Sequence, residues 1–501
     1  SDISNNKMIG FEKESLRVSD SMISEEDHPE ELGSSLCNKY ITTDFCEAQL
    51  ELITPPLRGA ADSLKFLDDI HHFVSCKIKG DILWPLSYPP PVDSEENIKI
   101  AYFGESNIGK FKRVYRNGLA KRYGKSMQTI SGFHFNYSLP DSFFSKLNFK
   151  NEKEERANRS AIYMSIARNY LRMNWLVIYF FGASPILSKS FQKDNGQDFS
   201  KLDDETLYLP YATSLRMSEY GYCNLDRMSA QISLNSLDDY ISDLRNATIT
   251  TEENFKQFSK NEMSQLNPNI LQIEDEYYAS ARVKSNNINY RRASSNLEAN
   301  GIDFLELRSL DLNPFERSGI DKDTVLFLEV LLIYCLRKTS EFFSDDEINR
   351  VNLNDALVAK QGREPNLKIY RGNKRIPLKE WGLEIMAELL PIAEEIDDEN
   401  RSYTKMIGNQ KMKLIDPDLT SSGKMMGIIT KSKNSYIKFG NEIGTRNKEY
   451  YLSLSKESNK NWEELEEITK QSLSDQWKLD INSIENNVTF DEYKREYFSD
   501  D

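Results

Sequence analysis

Cysteine and histidine are scarce in this chain, five and four residues among 501, and no C-x-x-C pair occurs. That scarcity argues against a disulfide scaffold and a structural zinc site. The odd set Cys37, Cys46, Cys76, Cys223 and Cys335 suits a reducing compartment, read here as the cytoplasm. Basic residues are also short: 64 Lys and Arg against 79 Asp and Glu give a formal net charge of −15. Nucleic acid is therefore not expected as a partner, because affinity for its backbone comes mainly from cations that displace counterions. The longest apolar run, Trp175 to Leu187, has 13 residues and contains Pro185, whereas a membrane span needs about 20. No membrane partner is expected, and Ser1 to Lys7 has no apolar core of the signal-peptide kind.

Familiar catalytic signatures are missing as well. The chain has no G-x-x-x-x-G-K-[ST], no G-x-G-x-x-G, no G-x-S-x-G and no H-E-x-x-H. If it handles a nucleotide, it must hold the phosphates with carboxylates, a metal and a few placed arginines.

With 39% hydrophobic and 29% charged residues, the chain has the composition of a globular protein with a large core. Internal repeats are absent. Alternation over 8–18, 45–53, 129–139 and 302–310 predicts strands, and apolar residues spaced by three and four predict helices over 60–77, 158–181 and 323–338. The order is mixed without regular βαβ alternation, which predicts an α+β fold. Residues 87–96, 189–205 and 282–300 read as loops, the last long enough for a lid or a disordered excursion. Beyond about residue 340 the composition shifts to Lys, Glu, Asn and Leu at helical spacing, as in 381–396 and 462–477. We therefore read 1–501 as a single catalytic domain in which 340–501 is a mainly helical flank without clustered chemistry.

Four stretches carry candidate chemistry. In GFEKESLR, Glu12 and Glu14 share one strand face about 6.5–7 Å apart, suited to two separate divalent cations, although the solvated face of an edge strand has the same pattern. In TTDFCEAQLELITP, Glu47, Gln49 and Glu51 share an acidic face opposite Cys46, Ala48, Leu50 and Leu52, with Asp44 where the strand begins. In MQTISGFHFNY, His134 and Asn136 face away from three aromatics, and Gly132 permits close approach of a ligand or backbone. In IDFLELRSLDLNP, Glu306 and Arg308 share a face opposite Leu305 and Leu307, a pairing that serves a metal and a phosphate or a plain cross-strand ion pair. His28, His71 and His72 read as structural.

The ordered segments FEKESLRV, HPEELGSSL, NKYITTDFCEAQLELITP, YGKSMQTISGFHFNYSLP, FGASPI, YLPYATSLRMSEYGY, NILQIEDEYYA and IDFLELRSLDLNPF resemble glutamate–cysteine ligase of the proteobacterial type, over about residues 8–335. The resemblance implies a bent antiparallel sheet of about six strands forming the active-site cavity, surrounded by helices and similar to the catalytic domain of glutamine synthetase. It implies ATP-dependent ligation of the L-glutamate γ-carboxylate to the L-cysteine amine through γ-glutamyl phosphate, the first step of glutathione synthesis. By the same resemblance, Glu12, His134 and Glu306 are expected to hold the metal nearer the transferring phosphoryl group, and Glu14, Asp44 and Glu51 a second one, the ion being Mg²⁺ or Mn²⁺. Arg308 is expected on the ATP phosphate in the transition state, in a catalytic set with Glu306 and Arg216, and Arg216 on a substrate carboxylate or phosphate. The expected cysteine pocket is Tyr115, Leu119, Gln128, Tyr222 and Tyr278. A monomer acting on small molecules follows from this reading. Ending at Asp501, the chain is expected to lack the ATP-grasp extension of a bifunctional glutathione synthetase.

Overall fold

Strand β1 (Met8–Ser19) runs through the middle of an antiparallel sheet. The computed structural model describes residues 6–193, 197–222, 231–286, 291–432, 435–486 and 488–499. Five further strands complete the main path: β2 (Ile41–Thr43), β3 (Gln49–Ile53), β4 (Phe133–Ser138), β5 (Ala281–Lys284) and β6 (Phe304–Leu310). Their order is β5-β6-β4-β1-β3-β2, and three two-residue strands (Met22–Ile23, Leu57–Arg58 and Ile82–Leu83) pair with β1 off this path. The fold is α+β, as the mixed pattern predicts.

Strand alternation separates the two faces. Ile9 and Phe11 of β1, Phe133, Phe135 and Tyr137 of β4, and Leu305 and Leu307 of β6 enter one core. Helices α1 (Ala60–Lys77), α3 (Glu152–Phe181) and α4 (Lys322–Arg337) belong to that core, and α2 (Asn107–Tyr123) lies elsewhere, on the site side. Asn151 caps α3 by accepting the Glu154 N–H, and three glutamates follow in its first turn, where the helix dipole favours negative charge. Each apolar side chain buried in this layer contributes about 1.5–3 kcal/mol.

The flank beyond residue 340 is tied to this core. Trp175 of α3 packs on Trp381 of α5 (Leu378–Ile396) with ring centroids 4.9 Å apart. The flank also carries a hairpin, Lys368–Arg371 with Lys374–Pro377, which helical spacing does not predict.

The structure corrects four of these stretches. The stretch 45–53 is strand only from Gln49, because the Gln49 N–H donates to the Cys46 carbonyl at 2.8 Å and turns the chain. The stretch 129–139 is strand from Phe133, because the residues before it are occupied elsewhere: the Ser131 N–H donates to the Ser87 carbonyl at 2.8 Å. The expected loop 282–300 is instead the edge strand β5 followed by helix Ala293–Asn300, with residues 287–290 outside the described ones. Its A-R-V-K start alternates core and site faces, a signal too short to stand out in a polar stretch. In the expected loop 189–205, Ser200–Lys201 joins a small three-stranded sheet, and residues 194–196 lie outside the described ones.

Candidate functional site

The register of the sheet decides which polar residues meet. Glu12 lies opposite His134, Glu14 opposite Glu51, and Glu306 opposite both Asn136 and Arg282. Directly opposed side chains stand about 4.5–5.5 Å apart at Cβ, so residues distant in sequence become one acidic patch. His134 sits at its centre. Its Nδ1 is 3.3 Å from Glu12 Oε2 and 3.6 Å from Glu306 Oε1, and its Nε2 is 3.5 Å from Glu14 Oε1. The Asn136 amide also donates to Glu12 Oε1 at 2.8 Å.

The two expected metal sets adjoin one another. Glu12, Glu51 and His134 each offer one ligand atom, all within 4.8 Å of one another, so Glu51 also lies beside the first set. Burial, then the charge of Asp44, raises the Glu14 carboxyl above its ordinary range. Burial, then Glu12, Asp44 and Glu14, raises Glu51 well above it. Glu306 is the opposite case: burial opposes its charge, but Lys284, Arg308, His134 and Arg282 outweigh that and hold it low. Glu306 Oε2 and Asn136 Oδ1 are buried without a hydrogen-bond partner among the described residues, with Lys284 Nζ 3.8 Å from the former. Crowded carboxylates, a histidine and unsatisfied buried oxygens form a donor set that fits a hard divalent cation.

Arg308 Nη1 donates to Glu306 Oε1 at 2.9 Å. Around it the β6–β4 register shifts, between Leu307 and Leu310, a bulge that returns Leu310 to the core face. Arg216 lies in a short 3-10 turn, Leu215–Met217. Its Nη2 donates to the Arg308 carbonyl at 2.9 Å, and its Nη1 is 3.5 Å from Asp311 Oδ1. Asp311 is fixed in turn through its other oxygen by the Ala183 N–H at 2.8 Å and the Ser184 hydroxyl at 2.6 Å.

Tyr115, Leu119, Gln128, Arg216, Tyr222 and Tyr278 line one cavity of about 160 Å³, together with Glu14, Asp44, His134 and Arg308. Tyr115 and Leu119 come from α2, whereas Tyr222 and Tyr278 stack with ring centroids 4.7 Å apart. The Tyr222 hydroxyl donates toward the carbonyls of Ile130, at 3.2 Å, and Met127, at 3.3 Å. Arg122 of α2 pairs with Glu276 at 2.9 Å, both side chains buried, which fastens the helix to the opposite wall.

Several residues of this site are not singled out individually by the sequence, although Arg116, Asp275, Glu276 and Tyr277 fall in 111–128 and 269–279, stretches whose mix of aromatics, Arg and Gly suits a small-molecule pocket. Arg116, Asp275, Glu276, Tyr277 and Arg282 also line the cavity, and Asp311 and Lys284 support it. The alternation of β5 places Arg282 and Lys284 on the site face, whereas Asp311 becomes visible only once the bulge is known. Glu47, by contrast, stands apart: its carboxylate accepts the His28 N–H at 2.6 Å and the Tyr102 N–H. His71 stacks on Tyr451 and shares a 3.0 Å hydrogen bond with Lys13 on the opposite face of β1.

A family model for glutamate–cysteine ligase matches residues 1–358. A glutamate–cysteine ligase of Pseudomonas fluorescens Pf-5 is 39% identical over 485 residues, covering 95% of this chain and 91% of that protein. One from Alcanivorax borkumensis is 36% identical over 505 residues, covering 98% and 95%. The crystal structure of a Francisella tularensis glutamate–cysteine ligase in complex with AMP superposes with a TM-score of 0.91 at 34% identity, covering 99% of this chain and 98% of that one. A bifunctional glutathione synthetase from Pasteurella multocida gives 0.71 at 26% identity, over 90% of this chain and 53% of that one.

Proposed function

This chain belongs to the glutamate–cysteine ligase family, and from that premise we propose how its acidic sheet and adjoining cavity carry the family's chemistry. The reaction joins the L-glutamate γ-carboxylate to the L-cysteine amine with ATP converted to ADP and phosphate. A carboxylate does not acylate an amine at neutral pH, so the reaction has two steps. First a γ-carboxylate oxygen bonds to the γ-phosphorus of ATP as the bond to the β,γ-bridging oxygen breaks and ADP leaves. Then the neutral cysteine amine, its ammonium proton given up to solvent, bonds to the γ-carbonyl carbon; the carbon–oxygen bond breaks, and the second proton on nitrogen leaves with the departing phosphate.

The observation that carries the residue roles is the single cavity in which Arg308, Arg216, His134 and the tyrosine pair converge beside the acidic patch. Glu12, His134 and Glu306 would hold one divalent cation and Glu14, Asp44 and Glu51 another, with Glu51 close to both. Mg²⁺ or Mn²⁺, if held there, would supply positive charge against the ATP phosphates. Arg308, already oriented by Glu306, stabilises the charge that develops on the γ-phosphoryl oxygens. Arg216, fixed by Asp311 and the Arg308 carbonyl, meets a substrate carboxylate or phosphate with its remaining donors. Tyr115, Leu119, Gln128, Tyr222 and Tyr278 surround the cysteine and exclude water from the acyl phosphate.

The chain is further read as a monomeric cytoplasmic enzyme of one catalytic domain. Among the described residues no helix is long and apolar enough to cross a membrane. Cys37, Cys46, Cys76 and Cys335 carry free thiols, and Cys223 lies outside the described residues. The test is ADP release with Mg²⁺, ATP and L-glutamate, with and without L-cysteine, followed by mass analysis of the product. Cysteine-dependent ADP release with γ-glutamylcysteine formed is expected. ADP release that instead follows ammonia or another amine would reject the acceptor, and none at all would reject catalysis.

A further inference from the structure

The helix α6 (Phe490–Phe498) carries no catalytic motif, yet it packs against the back of the proposed cysteine pocket. Its Tyr497 ring lies 4.5 Å from that of Phe111 on α2, and Tyr493 and Phe498 approach the same ring at 5.9 and 6.4 Å. Phe111 is one helical turn before Tyr115, so both lie on neighbouring parts of one helix face. Phe111, Val114, Leu266, Ile273 and Tyr497 form a small hydrophobic cluster of their own, and Tyr115 packs against it. The other wall of the pocket is reached from the same cluster. Ile273 precedes the turn leading to Asp275, Glu276 and Tyr278, and Gln272 donates to the Tyr115 carbonyl at 3.2 Å.

A second tether comes from beyond β5. Arg291 pairs with Glu496 at 3.1 Å and lies over the Tyr493 ring at 4.8 Å. One short helix thus touches α2 on one side and the chain leading into helix Ala293–Asn300 on the other. The satellite cluster is separate from the main cores, and α6 supplies the three aromatic rings packed on Phe111.

We propose that α6 is a positioning strap for the acceptor pocket, with Tyr497 the residue that sets the seating of α2 and therefore of Tyr115 and Leu119. The inference rests on the reading of that cavity as the cysteine site. Tyr497 touches no reacting atom; it acts through Phe111. Its consequence is selective, because α2 contributes to the cavity wall while Glu12, Glu306 and Arg308 are held by the sheet.

The test compares full-length Tyr497→Ala, Tyr497→Phe and Arg291→Ala with the parent in steady-state kinetics and thermal melting. Tyr497→Ala is expected to raise KM for L-cysteine about tenfold while KM for ATP and L-glutamate stays within about twofold, and Tyr497→Phe is expected to restore the parent value. Arg291→Ala, which leaves the aromatic contact intact, is expected to show a smaller rise of the same kind. A Leu119→Ala control separates the two readings. If it raises KM for L-cysteine but Tyr497→Ala does not, the strap is rejected and the pocket reading stands. If Leu119→Ala leaves KM for L-cysteine unchanged, the pocket reading itself is rejected. An equal rise in all three KM values with a lowered Tm overturns the selective role and leaves Tyr497 a general packing residue.

Discussion

A methyl group on Gly132 would lie 2.0 Å from Nη2 of Arg216. The same glycine is clamped from the other side, its N–H donating to Glu14 Oε2 at 2.7 Å and its carbonyl accepting the Glu14 N–H at 3.1 Å. It therefore spaces a candidate metal ligand from a candidate substrate ligand, and neither can yield without leaving its partners. Gly132→Ala is expected to lower kcat/KM about 10²-fold, the scale associated with a misplacement of about 1 Å at a reacting centre. Circular dichroism and glutamate-dependent ADP release measure this; wild-type turnover would show that Arg216 has room to move.

Arg308 and Glu306 are expected to act at the phosphoryl-transfer step. Glu306→Gln keeps the shape but removes the charge that orients Arg308 at 2.9 Å. Arg308→Lys keeps a charge but loses the planar fork that matches phosphate oxygens. Each is expected to lower kcat about 10²–10³-fold, and the loss should already be present in ADP formed during a single turnover. Full single-turnover amplitude at the parent rate would move both residues out of the chemical step.

Much of this site is legible in the sequence because strand alternation fixes faces: Glu12 with Glu14, His134 with Asn136, and Glu306 with Arg308 each emerge on one side. Period-two spacing does not give register, so nothing in it says that Glu12 faces His134 or that Glu14 faces Glu51. The resemblance supplies the expected grouping, and sheet pairing supplies the contacts. The bulge after Leu307 has a faint trace in the break of alternation between Leu307 and Leu310. Arg216 with Asp311 and Arg122 with Glu276 are loop and helix pairings from remote parts of the chain, for which local pattern has no signal.

Stability should fall with rising pH through a group behind the sheet. Burial lifts the Asp355 carboxyl to about 8, against a 2.7 Å hydrogen bond from Asn174 that favours its charged form. Asn174 also accepts the Ser309 hydroxyl at 2.6 Å, which links the group to β6. A carboxyl raised on folding binds its proton more tightly in the native state. Its contribution is complete below its unfolded value near pH 4 and is lost as pH rises to about 8, with a slope of at most about 1.4 kcal/mol per pH unit. Asp355→Asn, which cannot ionise, should therefore gain Tm relative to the parent steadily from pH 5 to 8. A difference in Tm that does not change with pH would rule this out.

The crowded carboxylates predict opposite responses with and without metal. Glu51 lies among Glu12, Asp44 and Glu14, whose charges add to burial in raising it. In EDTA, Glu51→Gln removes this repulsion and should raise Tm. The parent is expected to gain stability from a bound cation as RT ln(1 + [L]/Kd), about 2.7 kcal/mol at a hundredfold excess over Kd. The variant loses one of the three groups whose ligand atoms lie within 4.8 Å, so it should gain much less from Mg²⁺ or Mn²⁺. Melting curves taken across a titration of each ion should therefore cross, the variant being more stable without metal and the parent more stable at saturation. A variant less stable than the parent in EDTA would mean that Glu51 contributes more through packing than it costs through repulsion. An equal metal-dependent gain in both proteins would take Glu51 out of the ligand set.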